Sequence, residues 1–102
     1  MDWIARLLGS PIFEAQRRMA GRRAPADRDV EAFLRALEQR ANQISRRALA
    51  QALGQPDFRL RGLLVGLQRL LNADGYQIVA VDEGTGTITL DRQLLDKQFQ
   101  LA

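Results

Sequence analysis

Val30, Phe33, Leu34, Leu37, Ala41 and Ile44 recur at intervals of three and four along an otherwise polar stretch, the spacing of one apolar face on an α-helix. The pattern predicts a helix that Asp27 is placed to cap and that runs to about Ile44. A second stripe, Leu60, Leu63, Leu64, Leu67, Leu70 and Leu71, predicts a helix from Asp57 through Leu71, stopped by Asn72-Ala73-Asp74-Gly75. Between the two, Ser45 is a cap signal, and residues 46–53 read as a short helix closed by Gly54 and Pro56. Upstream, Trp3, Ile4, Leu7 and Leu8 predict a short helix over 2–8 that Gly9 ends. Ser10-Pro11 supplies an N-cap and then a proline at the first helical position, so another helix is expected from Pro11 to Met19 or Ala20, with Gly21 as its stop. Arg23-Ala24-Pro25-Ala26 reads as a linker. Downstream, the period changes. Residues 76–81 and 87–90 are β-branched and apolar, joined by Gly84-Thr85-Gly86, which predicts a two-stranded hairpin. Asp91 is placed to cap a last helix from Arg92 to about Phe99.

Helices followed by a hairpin point to a mostly helical α+β fold. Leu49-Ala50-Gln51-Ala52-Leu53-Gly54, with Leu60 and Leu63 after it, resembles the helix-turn-helix pattern, in which a small residue, a turn glycine and later apolar residues hold two helices across each other. Gln55 departs from that pattern, which prefers an apolar residue there. With the hairpin as wing, the expected fold is a winged helix carrying two N-terminal helices and a short C-terminal helix. Its 102 residues make one domain. Within it, 2–26 is expected to form an N-terminal helical extension and 27–102 the winged-helix core.

Composition narrows the chemistry. The chain has no Cys and no His, so disulfides, thiolate metal sites, a Cys nucleophile and the commonest general base are all excluded. No apolar run is long enough to span a bilayer and the N-terminus does not read as a signal peptide, so a soluble, cytoplasmic protein without membrane contact is expected. The net charge of +3 is unevenly spread. Residues 1–28 hold six Arg against three carboxylates, residues 44–71 five Arg against Asp57, and residues 72–102 five carboxylates against Arg92 and Lys97. Arginine pairs bidentately with carboxylates as well as phosphates, so the bias suits either a protein partner or a nucleic acid.

The helix from Asp57 would be the recognition helix of a DNA-binding winged helix, presenting Asp57, Phe58, Arg61, Gly62 and Val65 outward. Only Arg61 among these is a base-reading type. Asp82 and Glu83 sit in the wing, where basic residues ordinarily meet phosphate. Phosphate contacts would have to come from Arg46, Arg47, Arg59 and Arg61. Gly62 and Gly66, four apart and flanked by Arg59 and Arg69, lie off the leucine stripe. Glycine costs about 1 kcal/mol against alanine inside a helix, so the pair implies a close backbone approach, either by another part of this chain or by another protein. Arg17 and Arg18, with Arg22 and Arg23, crowd the end of the second helix, where they favour its dipole and where Glu14 can pair with Arg18. They form a second candidate interface.

Other constellations carry less. Gly84-Thr85-Gly86-Thr87 has no following lysine or helix and reads as a hairpin turn rather than a phosphate cradle. Asp27, Asp29 and Glu31 are explained by a first helical turn without a metal. Asp91 and Asp96 read as a cap and a surface charge. No nucleophile with a base can be assembled, so the chain is expected to be no enzyme and to bind no cofactor, metal or small-molecule substrate.

The run Arg61-Gly62-Leu63-Leu64-Val65-Gly66-Leu67-Gln68-Arg69-Leu70-Leu71-Asn72-Ala73-Asp74-Gly75-Tyr76, then Leu90-Asp91-Arg92-Gln93-Leu94-Leu95 and Gln98-Phe99-Gln100-Leu101, resembles the extreme C-terminus of PglZ proteins. These are components of the BREX phage-resistance systems, and the type 2 branch looks closest. Trp3-Ile4 and the Ser10 to Arg22 segment resemble the stretch before that terminus. The resemblance implies a C-terminal fragment of a larger protein whose phosphatase-like core and metal ligands lie upstream, so no family catalytic residue carries over. The expected role is non-catalytic docking, of another BREX component or of a second copy, with weak, phosphate-contacting DNA binding as the alternative.

Overall fold

The computed structural model describes residues 2–101; Met1 and Ala102 lie outside the described residues. Six α-helices and three strands follow in the order α1 (Trp3–Leu8), α2 (Pro11–Ala20), α3 (Asp27–Glu38), β1 (Gln43–Ser45), α4 (Arg46–Leu53), α5 (Asp57–Leu71), β2 (Val79–Asp82), β3 (Thr87–Leu90) and α6 (Arg92–Gln98). Most boundaries fall where the sequence marks them. Asp2, Ser10, Ser45 and Asp91 each accept a hydrogen bond from a backbone N–H in the first turn of the helix that follows. Gly9, Gly21 and Gly54 stand at three helix ends, and Gly54 adopts the left-handed conformation there.

Three expectations are corrected. First, α3 ends at Glu38 and does not reach Ile44. The chain leaves the helix through a turn in which Ala41 and Asn42 take positive φ, so Ala41 is exposed, and Ile44 is buried from a strand. Ile44 keeps a helical spacing from Leu37, which is why periodicity alone extends the helix to it. Second, Asp27 does not cap α3. Ala26 holds that position without a side-chain bond, while the Asp27 carboxylate, in the first turn, accepts from Arg17. Third, the first hairpin strand begins at Val79, not Tyr76. Positive φ at Asp74 and Gly75 redirects the chain after α5, and the Asn72 side chain then brackets Val79, accepting from its N–H at 2.7 Å and donating to its carbonyl at 2.9 Å.

The hairpin belongs to a three-stranded antiparallel sheet of order β1-β3-β2, because Gln43–Ser45 adds to the free edge of β3 with Ile44 opposite Ile88. On the other edge Val81 also faces Ile88, and Val79 faces Leu90. One hydrophobic cluster joins all layers. It takes Ile4 and Leu7 from α1, Phe13 from α2, Phe33, Leu34 and Leu37 from α3, Leu49 from α4, Leu60, Leu64, Leu67, Leu70 and Leu71 from α5, Ile88 from the sheet and Leu95 from α6. The two N-terminal helices therefore share the core of the rest of the chain. At the far end, Phe99 packs edge-to-face on Phe13 with ring centroids 6.1 Å apart, and Leu101 is buried.

Candidate functional site

Helix α5 is amphipathic in an unusual way. Its inward stripe of Leu60, Leu64, Leu67, Leu70 and Leu71 is buried, as expected, with Leu63 partly so. At 100° per residue, Phe58, Gly62, Val65 and Arg69 fall together on the side opposite that stripe. Phe58 is 77 % exposed and Val65 45 % exposed. A solvent-facing Phe and Val one heptad apart leave an apolar ridge without a partner in the fold.

The two glycines behave differently. A Cβ on Gly66 would meet Pro25 Cγ at 3.2 Å and Cδ at 3.4 Å, so the 24–26 linker makes the close approach there. Nothing lies within 4 Å of the corresponding position on Gly62, which opens to solvent. Beside the ridge, Gly66 and Arg69 line a groove with Gln16, Met19, Ala20 and Arg23. Met19, 81 % exposed, stands on its α2 wall. Periodicity does not single out Met19; the available signal is an apolar residue beside two arginines at a helix end.

The candidate arginines separate by their partners. Arg17 is spoken for: hydrogen bonds to Asp27 and then Glu14 raise its pKa, and its guanidinium lies 6.0 Å from the Phe13 ring centroid. Arg18 is exposed and 3.5 Å from Glu14. Arg46 Nη2 donates to Glu83 at 3.3 Å, and its Nε is buried without a partner. Arg47, Arg59, Arg61 and Arg69 are exposed and make no ion pair with any described carboxylate, as is also true of Arg22 and Arg23.

The acidic turn of the hairpin also finds its structural use. Asp82 Oδ1 accepts from the N–H groups of Gly84 at 2.9 Å and Thr85 at 3.3 Å, a local turn closure typical of aspartate. Glu83 reaches across to α4. Among the described residues no group of three or more acidic side chains is placed to hold a metal ion, and no helix is long and apolar enough to cross a membrane.

The family model described as the BREX system PglZ C-terminal domain matches residues 1–100. The chain belongs to that family. No curated protein and no solved structure matches it. The match takes in α1 and α2 together with the helices and sheet that follow, so the shared core described above coincides with the PglZ C-terminal domain as a unit.

Proposed function

We propose that this PglZ C-terminal domain is a non-catalytic winged-helix docking module that holds another BREX component through the outward face of α5. The winged-helix reading is supported by the order α3, β1, α4, α5, β2, β3 and by the β1-β3-β2 sheet, in which the hairpin follows a pair of helices joined by a short glycine-containing turn. The observation that carries the docking reading is the ridge of Phe58 and Val65, exposed from the first turn to the middle of the helix that a DNA-binding winged helix would place in the major groove. Apolar side chains at those positions offer bases neither donors nor acceptors. They suit the buried centre of a protein interface, with the unpaired arginines as its rim.

A second reading, weak DNA binding through phosphates, is favoured by the unpaired Arg47, Arg59 and Arg61. Arg46, the fourth cation that reading requires, is engaged by Glu83. The test is binding of the chain, and of its Phe58→Glu variant, to each purified BREX component and to random duplex DNA. The docking reading expects one component to bind and Phe58→Glu to weaken it; salt-dependent duplex binding with no component bound would replace it with the DNA reading.

A further inference from the structure

We infer that the α5 face takes an acidic amphipathic helix, laid along Phe58, Gly62 and Val65 with its carboxylates on the surrounding arginines. The inference rests on the docking reading and specifies the chemistry of the partner.

The shape is that of an apolar ridge beside a groove. The exposed Phe58 and Val65 side chains make the ridge on α5, and Met19 of α2 lines the neighbouring groove with Gly66 and Arg69. At Gly62 nothing approaches within 4 Å of the Cβ position, so the ridge is notched between its two apolar anchors, while Pro25 and the Arg23 carbonyl cover Gly66. A partner helix with apolar residues at i, i+3 or i+4 and i+7 matches two anchors spaced one heptad apart.

The charge fixes the partner's flanks. Arg22, Arg23, Arg59, Arg61 and Arg69 lie on α5 and the turn before α3, against the single carboxylate Asp57. None of the five makes an ion pair with a described carboxylate, although Arg17, Arg35, Arg46 and Arg92 all do. Carboxylates on both sides of an apolar stripe would pair with them at the rim, where charges mainly set specificity and association rate. A symmetric pairing of two copies through this face would instead bring the Arg61 and Arg69 guanidinium groups of one copy against those of the other, which like-charge repulsion disfavours. A phosphate backbone would satisfy the arginines and leave Phe58, Val65 and Met19 without apolar contact.

The test uses a fluorescent helical peptide of about five turns, with Leu at helical spacing and Glu on both flanks, and a twin with Lys in place of every Glu. The intact chain should bind the Glu peptide saturably and the Lys peptide at least about tenfold more weakly. Phe58→Glu should abolish binding. The double variant Arg61→Glu with Arg69→Glu should reverse the preference between the two peptides. All three substitutions are at exposed positions, and unchanged Trp3 fluorescence and thermal melting establish that the variants fold. Equal binding of the twins, binding that survives Phe58→Glu, displacement of the Glu peptide by equimolar random duplex DNA, or a concentration-dependent dimer dissolved by Arg61→Glu would each overturn the inference. The docking reading fails separately, if no purified BREX component binds the chain. It survives while the inference fails if a component's binding is weakened by Phe58→Glu and left unchanged or strengthened by the double arginine reversal.

Discussion

Arg46, the first residue of α4, donates from Nη2 to Glu83 in the hairpin turn at 3.3 Å, tying the helix pair to the tip of the sheet. The same arginine donates its backbone N–H to the Gly86 carbonyl at 2.8 Å. Its side chain is 23 % exposed while that of Glu83 is 79 % exposed, so the pair is half solvated and worth at most about 1 kcal/mol. Glu83→Gln should therefore lower unfolding stability by about 0.2–1 kcal/mol. Arg46→Ala should cost more, since it also removes the aliphatic stem of a side chain that is only 23 % exposed. Urea denaturation of both single variants and the double variant checks this. Additive effects of the two substitutions would show that the ion pair contributes nothing.

The tie also bears on nucleic acid. Asp82→Lys with Glu83→Lys removes two charges that repel phosphate and frees Arg46 at the same time, so affinity for duplex DNA should rise from a parent Kd of about 10⁻⁴–10⁻⁶ M at physiological salt. It should also steepen with falling salt, because more cations are then available to displace counterions. Fluorescence anisotropy on random duplexes at two salt concentrations measures both. The reversal also removes the Asp82 turn closure, so thermal stability should drop alongside.

The glycine pair yields opposite outcomes on one helix. Gly62→Ala has open space around the new methyl and should stabilise the fold by up to about 1 kcal/mol through helix propensity. Gly66→Leu drives a side chain into Pro25 and the Arg23 carbonyl and should destabilise by about 1–3 kcal/mol. Thermal melts of the two variants test the contrast, which disappears if both glycines face solvent.

Much of this was legible because punctuation and periodicity agree. Ser45, Gly54 and Pro56 bound α4, and the leucine stripe fixes the buried side of α5, so its outward residues follow by subtraction. Strand β1 was not legible. It is three residues long, it contributes one buried side chain, and that side chain keeps register with the preceding helix. Asn42 before the alternating Gln43-Ile44-Ser45 was the available sign, since asparagine tolerates the left-handed turn seen there. Nor can spacing tell which glycine meets a neighbour: Gly66 does so through a linker that carries no periodic signal. The pairing of Arg46 with Glu83 joins residues far apart in sequence, and only the fold shows that the hairpin's acidity has an internal partner.

Asp2 links α1 to α3 through its carboxylate. Its carboxylate accepts from the Ala5 N–H at 2.9 Å and from Arg35 at 2.8 Å, and these bonds, the Ala5 one first, hold its pKa below the ordinary 3.8. A folded-state pKa below the unfolded one means that the stabilisation is complete above the ordinary value and is lost as pH falls through the folded value. Asp2→Asn should therefore melt lower than the parent near neutral pH, with the gap closing as pH falls below the ordinary 3.8. A gap independent of pH would assign the effect to capping geometry alone.

Hydrogen exchange of the chain, alone and saturated with the BREX component that binds it, addresses the docking face directly. The account predicts added protection across 57–71 and at the end of α2 around Met19, with the hairpin at 79–90 unchanged. Protection confined to the hairpin or to α1, with 57–71 exchanging as in the free chain, would contradict it.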